Sequence, residues 1–308
     1  MRFTTITQLI TPLRNSGAID YRSCEELISR QKRERIDAVI LGGSVGEDWG
    51  MSRSEIATLC QKACKFQSSE FAVLFHLTGT SVQKTLEKMS AAANSNLAGW
   101  VLSIPKEVRL GREEVETYIM RVTNHTKLPV YLHIDESINS ANIDSKMIIE
   151  LHKMKNINGV LLACDNLGLI GGLKEADLKD FRIIGAKEEM YLAHLSLGVH
   201  GLAGVSSNII PQFLSNLMHA YESGNMALAR KIQNFQFDLI KLVKNKHEAI
   251  AVKASLAKIG LCKNVVREPL MELNADILAE LNKELRMLDL IPNDTEQVEA
   301  ERFEFHLN

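Results

Sequence analysis

His76, His133, Asp135, Cys164, Asp165, Lys187 and Glu188 share one place in the pattern of this sequence: each stands at or just past the end of a short apolar run. Thr11, Thr78, Ser103, the run Gly43-Ser44-Val45-Gly46-Glu47 and the pair Ser206-Ser207 stand likewise. Imidazoles and carboxylates are the usual carriers of protons near neutral pH. A lysine whose amine is uncharged attacks a ketone to form a Schiff base. Two imidazoles with carboxylates also suit a divalent cation. The spacing of these residues matches no recognised metal motif, so we expect no bound metal and no cofactor. Five cysteines, Cys24, Cys60, Cys64, Cys164 and Cys262, fall in no zinc-ribbon or redox spacing. They read as reduced, mostly buried thiols.

The apolar runs that carry these residues alternate with longer amphipathic segments, the signature of βα units around a parallel sheet. The runs are 4–11, 38–43, 71–77, 99–105, 129–135, 157–164, 181–187 and 201–205. Between them, 22–35, 52–66, 80–96 and 113–125 have helical periodicity, with Ser52 and Ser81 as caps and Glu55 completing a capping box. Eight strands, each with its helix, fit a closed (β/α)8 TIM barrel over residues 1–224. In such a barrel the strand ends together form the site, which makes the residues named above its candidates. From 225 to 290 the pattern predicts a C-terminal helical domain of three amphipathic helices. A polar, acidic tail occupies 291–308.

The chain has 308 residues, 45% of them hydrophobic, and a formal charge of −2. That length and composition bury a large core. The charge gives no field that attracts nucleic acid or an anionic membrane. No run approaches the roughly 18 consecutive apolar residues of a membrane span, and the N-terminal stretch has no signal-peptide pattern. A cytoplasmic protein is the expectation.

"LITPL" (9–13), "GGSVGE" (42–47), "LPVYL" (128–132), "NINGV" (156–160), "LGVHGLAGVSSNIIP" (197–211), "AVKASLAKIGL" (251–261) and "REPL" (267–270) follow one another in order. Together they resemble the dihydrodipicolinate synthase and N-acetylneuraminate lyase family. That resemblance implies a TIM barrel with a C-terminal helical domain, commonly a homotetramer. It also implies a lysine on strand six that forms a Schiff base with pyruvate or a related 2-keto acid. A tyrosine on strand five then shuttles protons, and two hydroxyl residues after strand two relay them.

At these positions the sequence departs from the family. The lysine position falls on Leu161, in "VLLACDN" (160–166), and the tyrosine position on His133. The synthase arginine position falls on Ile138, and the aromatic pair after strand four on Lys106 and Glu107. The first hydroxyl survives as Ser44, while the second is Val45. Ala186 and Ala203 make the expected pocket more apolar, and Trp49 adds bulk near the contact the family uses for dimers. A leucine has no nucleophilic nitrogen. The expected protein is therefore inactive as a pyruvate-dependent aldolase and serves binding or assembly. Its partners are then a small-molecule ligand, a 2-keto acid among the candidates, and copies of itself as a homotetramer or homodimer, or an active relative in a mixed oligomer. Two alternatives stay open. One is Lys187 as a relocated Schiff-base lysine, with His133 the other catalytic candidate; the second is a metal held by His76, His133, Asp135 and Glu188 in a metal-dependent lyase.

Overall fold

Eight parallel strands close into a barrel in chain order: β1 (Thr5–Gln8), β2 (Ala38–Gly42), β3 (Ala72–Leu77), β4 (Gly99–Ser103), β5 (Val130–Asp135), β6 (Ile157–Ala163), β7 (Arg182–Gly185) and β8 (Gly201–Gly204). The computed structural model describes residues 3–135, 143–154, 156–244 and 247–292. The outer helices are α1 (Tyr21–Arg33), α2 (Arg53–Ala63), α3 (Val82–Ala91), α4 (Arg112–Thr123), α5 (Ser145–His152), α6 (Leu167–Glu175), α7 (Tyr191–Ser196) and α8 (Pro211–Glu222). No described helix is long and apolar enough to cross a membrane.

Local chemistry explains where these elements begin. The strands are apolar on both faces because one face lines the barrel and the other meets the helices. Ser52 and Glu55 form the reciprocal capping box of α2, and the Ser81 hydroxyl accepts from Lys84 N–H at the start of α3. Asp20, Asp144 and Asn166 cap α1, α5 and α6 in the same way. Phe3, Ile6, Ala38, Ile40, Ala72, Leu74, Val101, Tyr131, Leu161, Ile184, Ala186 and Ala203 fill the barrel interior. At its lower end Phe3 and Tyr131 meet edge to face, with centroids 5.4 Å apart. β8 pairs directly with β1 to close the barrel, and Asn208, just past β8, braces the seam: its side-chain Nδ2 donates to Gln8 O at 2.7 Å and its Oδ1 accepts from Ile10 N–H at 3.1 Å.

Four more helices follow among the described residues: α9 (Met226–Phe235), α10 (Phe237–Lys244), α11 (Glu248–Lys258) and α12 (Ala275–Met287). The sequence pattern reads the first two as one helix, and the structure breaks it at Gln236. The two halves bury their apolar faces on different neighbours. α9 packs on α8, while α10 turns to α11, α12 and the ends of β7 and β8. The chain beyond Pro292, and so nearly all of the polar tail, lies outside the described residues.

α11 sends Lys253 into the barrel's upper rim, where its ammonium pairs with Glu47, from the loop after β2, and donates to Val265 O at 2.9 Å. Both side chains are fully buried. Removing one member of such a pair leaves an uncompensated charge in the interior, at a cost of about 3–5 kcal/mol. We expect Lys253→Met to lower unfolding stability by about that amount in urea titrations. Adding Glu47→Gln to the same variant recovers much of the loss, and a double variant no more stable than the single one would refute the pairing.

Candidate functional site

One row of paired strand residues runs around the upper barrel: Ser103 on β4 beside His133 on β5, His133 beside Leu161 on β6, and Leu161 beside Ile184 on β7. Strand side chains alternate between faces, so this row shares the inner face with Val101, Tyr131 and Gly159, two residues earlier on their strands. His76 projects from β3 into the same space. Its Nε2 lies 2.7 Å from Ser103 Oγ, which lies 3.2 Å from His133 Nδ1. The two imidazole rings stand edge to face with centroids 5.0 Å apart. Burial, then His133 and Lys88, hold the His76 imidazole well below its ordinary pKa. Burial also lowers that of His133, against the opposing pull of Asp135. Both rings are therefore neutral at physiological pH.

A neutral ring has one N–H, and the serine hydroxyl has one proton. In one arrangement of the chain His76, Ser103, His133, one imidazole accepts from the Ser103 hydroxyl and the other donates to it. His76 is held by Gly43, whose left-handed φ of 68° lets the backbone lie against His76 Nδ1. A Cβ at Gly43 would fall too close to that nitrogen for both to keep their places.

The remaining sequence candidates separate around this row. Leu161, Ala186 and Ala203 are buried in the interior cluster with Ile184. Val45 packs into the core between barrel and helices, and Ser44 is exposed. Lys187 Nζ lies 2.6 Å from Asp165 Oδ2, tying the end of β7 to the turn after β6. Glu188 is buried and accepts from Val205 N–H, from Ser206 N–H at 2.9 Å and from the Ser206 hydroxyl. Thr78 donates to buried Asp48, which Lys88 meets at 2.9 Å. Cys164 is buried with its thiol unoxidised, and Thr11 and Ser207 are also buried. His200 Nδ1 accepts from Ile183 N–H at 3.0 Å, a structural bond. Trp49, Lys106 and Glu107 are exposed, and Ile138 lies outside the described residues. Among the described residues no three His, Cys, Asp or Glu side chains converge as a cation site requires. The site thus brings together His76, Ser103, His133 and Leu161, and holds Lys187 on a carboxylate.

The profile of the dihydrodipicolinate synthetase family matches residues 3–288. The chain belongs to that family. A 4-hydroxy-tetrahydrodipicolinate synthase of Magnetococcus marinus is 24% identical over 285 residues, covering 92% of this chain and 97% of the relative. One from Exiguobacterium sibiricum is 26% identical over 265 residues, covering 86% and 90%. The crystal structure of the dihydrodipicolinate synthase of Aquifex aeolicus superposes with a TM-score of 0.88 at 21% identity, covering 94% of this chain and 98% of that one. The family protein YagE of E. coli K12, solved in complex with pyruvate, superposes at 0.86 and 21%, covering 94% and 99%.

One group near this family barrel's mouth escapes sequence reasoning. Glu248, at the start of α11, has its carboxyl pushed up to about 7, by burial first and then by Glu188, Asp135 and Glu189, with Lys244 opposing. A helix that follows the barrel by so many residues gives no sequence signal that its first residue will face the strand ends. A carboxyl raised on folding binds its proton more tightly in the folded state. Its cost is absent below the unfolded value of about 4.3 and fully present above about 7. We therefore expect Glu248→Gln to gain Tm relative to the parent as pH rises from 5 to 8, measured by calorimetry. A difference between the two proteins that stays flat across that range would contradict the raised carboxyl.

Proposed function

We propose that this family member forms no Schiff base and binds a small 2-oxo acid, or a close chemical relative, non-covalently at the mouth of its barrel. Leu161 carries the reading. By the family resemblance its position is that of the condensing lysine, and its side chain lies in the apolar interior beside His133 and Ile184. A hydrocarbon there supplies no electron pair for attack on a ketone. Loss of the nucleophile leaves only the contributions of binding and polarisation. The ligand class comes from the relatives: synthases of one reaction type among the curated proteins, and pyruvate bound to the E. coli K12 protein. The apolar lining from Leu161, Ile184, Ala186 and Ala203 suits a ligand with a hydrocarbon face, and the His–Ser–His chain suits its polar face.

The relocated-lysine alternative has one feature against it. Lys187 is engaged with Asp165, and its ammonium must leave that carboxylate and lose a proton before it attacks a carbonyl. Borohydride reduction in the presence of pyruvate, followed by mass mapping, separates the two readings. We expect no adduct on the parent protein. An adduct that disappears in Lys187→Ala would overturn the proposal in favour of the relocated lysine.

A further inference from the structure

We propose that His133 acts as a general base that removes a proton from the carbon beside the carbonyl of that bound 2-oxo acid, with Ser103 and His76 fixing the tautomer that bares its Nε2 atom. The inference rests on the non-covalent ligand reading above and adds an activity to it: keto–enol interconversion without a covalent intermediate.

The two bond lengths give the chain its direction. A hydroxyl donor makes a shorter bond than a ring N–H donor, with typical separations of about 2.7–2.8 Å against about 2.9–3.0 Å. On that basis we assign the 2.7 Å contact between Ser103 Oγ and His76 Nε2 to the hydroxyl donating to His76. The 3.2 Å contact then has His133 Nδ1–H donating to Ser103 Oγ. With its single proton on Nδ1, neutral His133 keeps a lone pair on Nε2. Among the described residues that atom makes no hydrogen bond. The ring is half-buried in the upper row of the barrel, with Leu161 its strand neighbour on one side.

The surrounding charges favour a base at His133 and not at His76. Burial lowers the His133 imidazole as it does His76, but Asp135, two residues on along the inner face, opposes that and favours an imidazolium at His133 once it forms. Lys88 on α3 and the burial of His76 oppose a positive charge at the far ring. The proton taken by His133 therefore stays there and is returned from there. In the step itself the C3–H bond breaks and its electron pair forms the C2=C3 bond. The carbonyl pair moves onto oxygen, and Nε2 receives the proton. Delivery of that proton to the enolate oxygen gives the enol. Exchange with water and return to carbon regenerates the 2-oxo acid with a new hydrogen. Nothing is oxidised or reduced.

Pyruvate in D2O is the probe. Its methyl hydrogens are followed by proton NMR with the parent protein, while saturation-transfer NMR reports binding in the same samples. We expect exchange faster than in buffer, and a loss of about a hundredfold or more in His133→Gln. Ser103→Ala should bind pyruvate but exchange it more slowly, with an altered pH profile, and Ser103→Thr should restore both rate and profile. Binding without exchange refutes the base and leaves the ligand reading intact. No binding refutes both. Exchange that survives His133→Gln, or that accompanies a borohydride-trapped adduct, also refutes the base. A measurement on the parent protein guards against variants that fail to fold: histidine 15N spectra should show His133 protonated at Nδ1, and protonation at Nε2 alone would overturn the assignment.

Discussion

The buried ion pair between Glu47 and Lys253 is the constraint on which the barrel mouth depends. Glu47 takes a left-handed backbone conformation with φ of 56°, unusual for a residue with a side chain. It is kept there by the Lys253 ammonium and by Arg267 N–H at 2.6 Å. Arg267 continues the clamp, donating to Gly50 O at 2.8 Å and pairing with Glu55 at 2.6 Å. The next residue, Asp48, is pinned from the other side by Thr78 and Lys88. The loop after β2 is thereby fixed at both ends. Gly43, at its start, is what lies against His76. A charge pair that links α11 to the loop after β2 thus helps position an imidazole inside the barrel.

A second brace acts across the mouth. Glu188 at the end of β7 ties itself to the end of β8 through Val205 and Ser206, and Gly204 leaves room for its carboxylate and for the Tyr191 hydroxyl. α9 and α10 reach the same turn: Gln233 donates to Glu188 O at 3.0 Å and Lys244 pairs with Glu189 at 2.6 Å. The helices after the barrel therefore grip the loops that follow β2 and β7. A site meant to hold polar groups in a fixed relation needs such support, because an imidazole displaced by 1 Å no longer makes the bond that sets its tautomer. Burial, and after it the acidic company that this brace assembles, raises the Glu248 carboxyl.

Much of this was legible in the sequence and some was not, for physical reasons that differ from residue to residue. Alternation of apolar runs with capped amphipathic segments reports directly on βα units, so the barrel and the caps at Ser52 and Ser81 could be read locally. The break at Gln236 could not, because the apolar period continues through it and the two halves differ only in what they dock against. Ser103 was recognisable as a strand-end residue, but its bridging role depends on the register of β3, β4 and β5, which no local pattern encodes. Ser44 and Val45 follow a glycine-rich turn, where the alternation rule stops applying, and neither joins the interior cluster. The contributions of Lys253 and Glu248 come from a helix whose docking direction is a property of the whole packed structure.

Leu161 and the histidine pair are best understood as one coordinated arrangement. An ammonium in the position of Leu161 would sit among Ile184, Ala186 and Ala203, beside two imidazoles that burial already keeps neutral. Desolvating that charge would be costly without an anion in the row, and it would further disfavour protonation of His133. Leucine removes the conflict and dries the wall beside the His–Ser–His chain. In that drier setting each of its hydrogen bonds is stronger, and leaving one unmade is more costly. The hydrocarbon and the bridged imidazoles thus reinforce one another: an apolar wall holds the relay in one direction, and a neutral relay tolerates an apolar wall. A single return to lysine at position 161 would place a cation in a row built for neutral groups, so it would disturb the relay before it could restore a nucleophile.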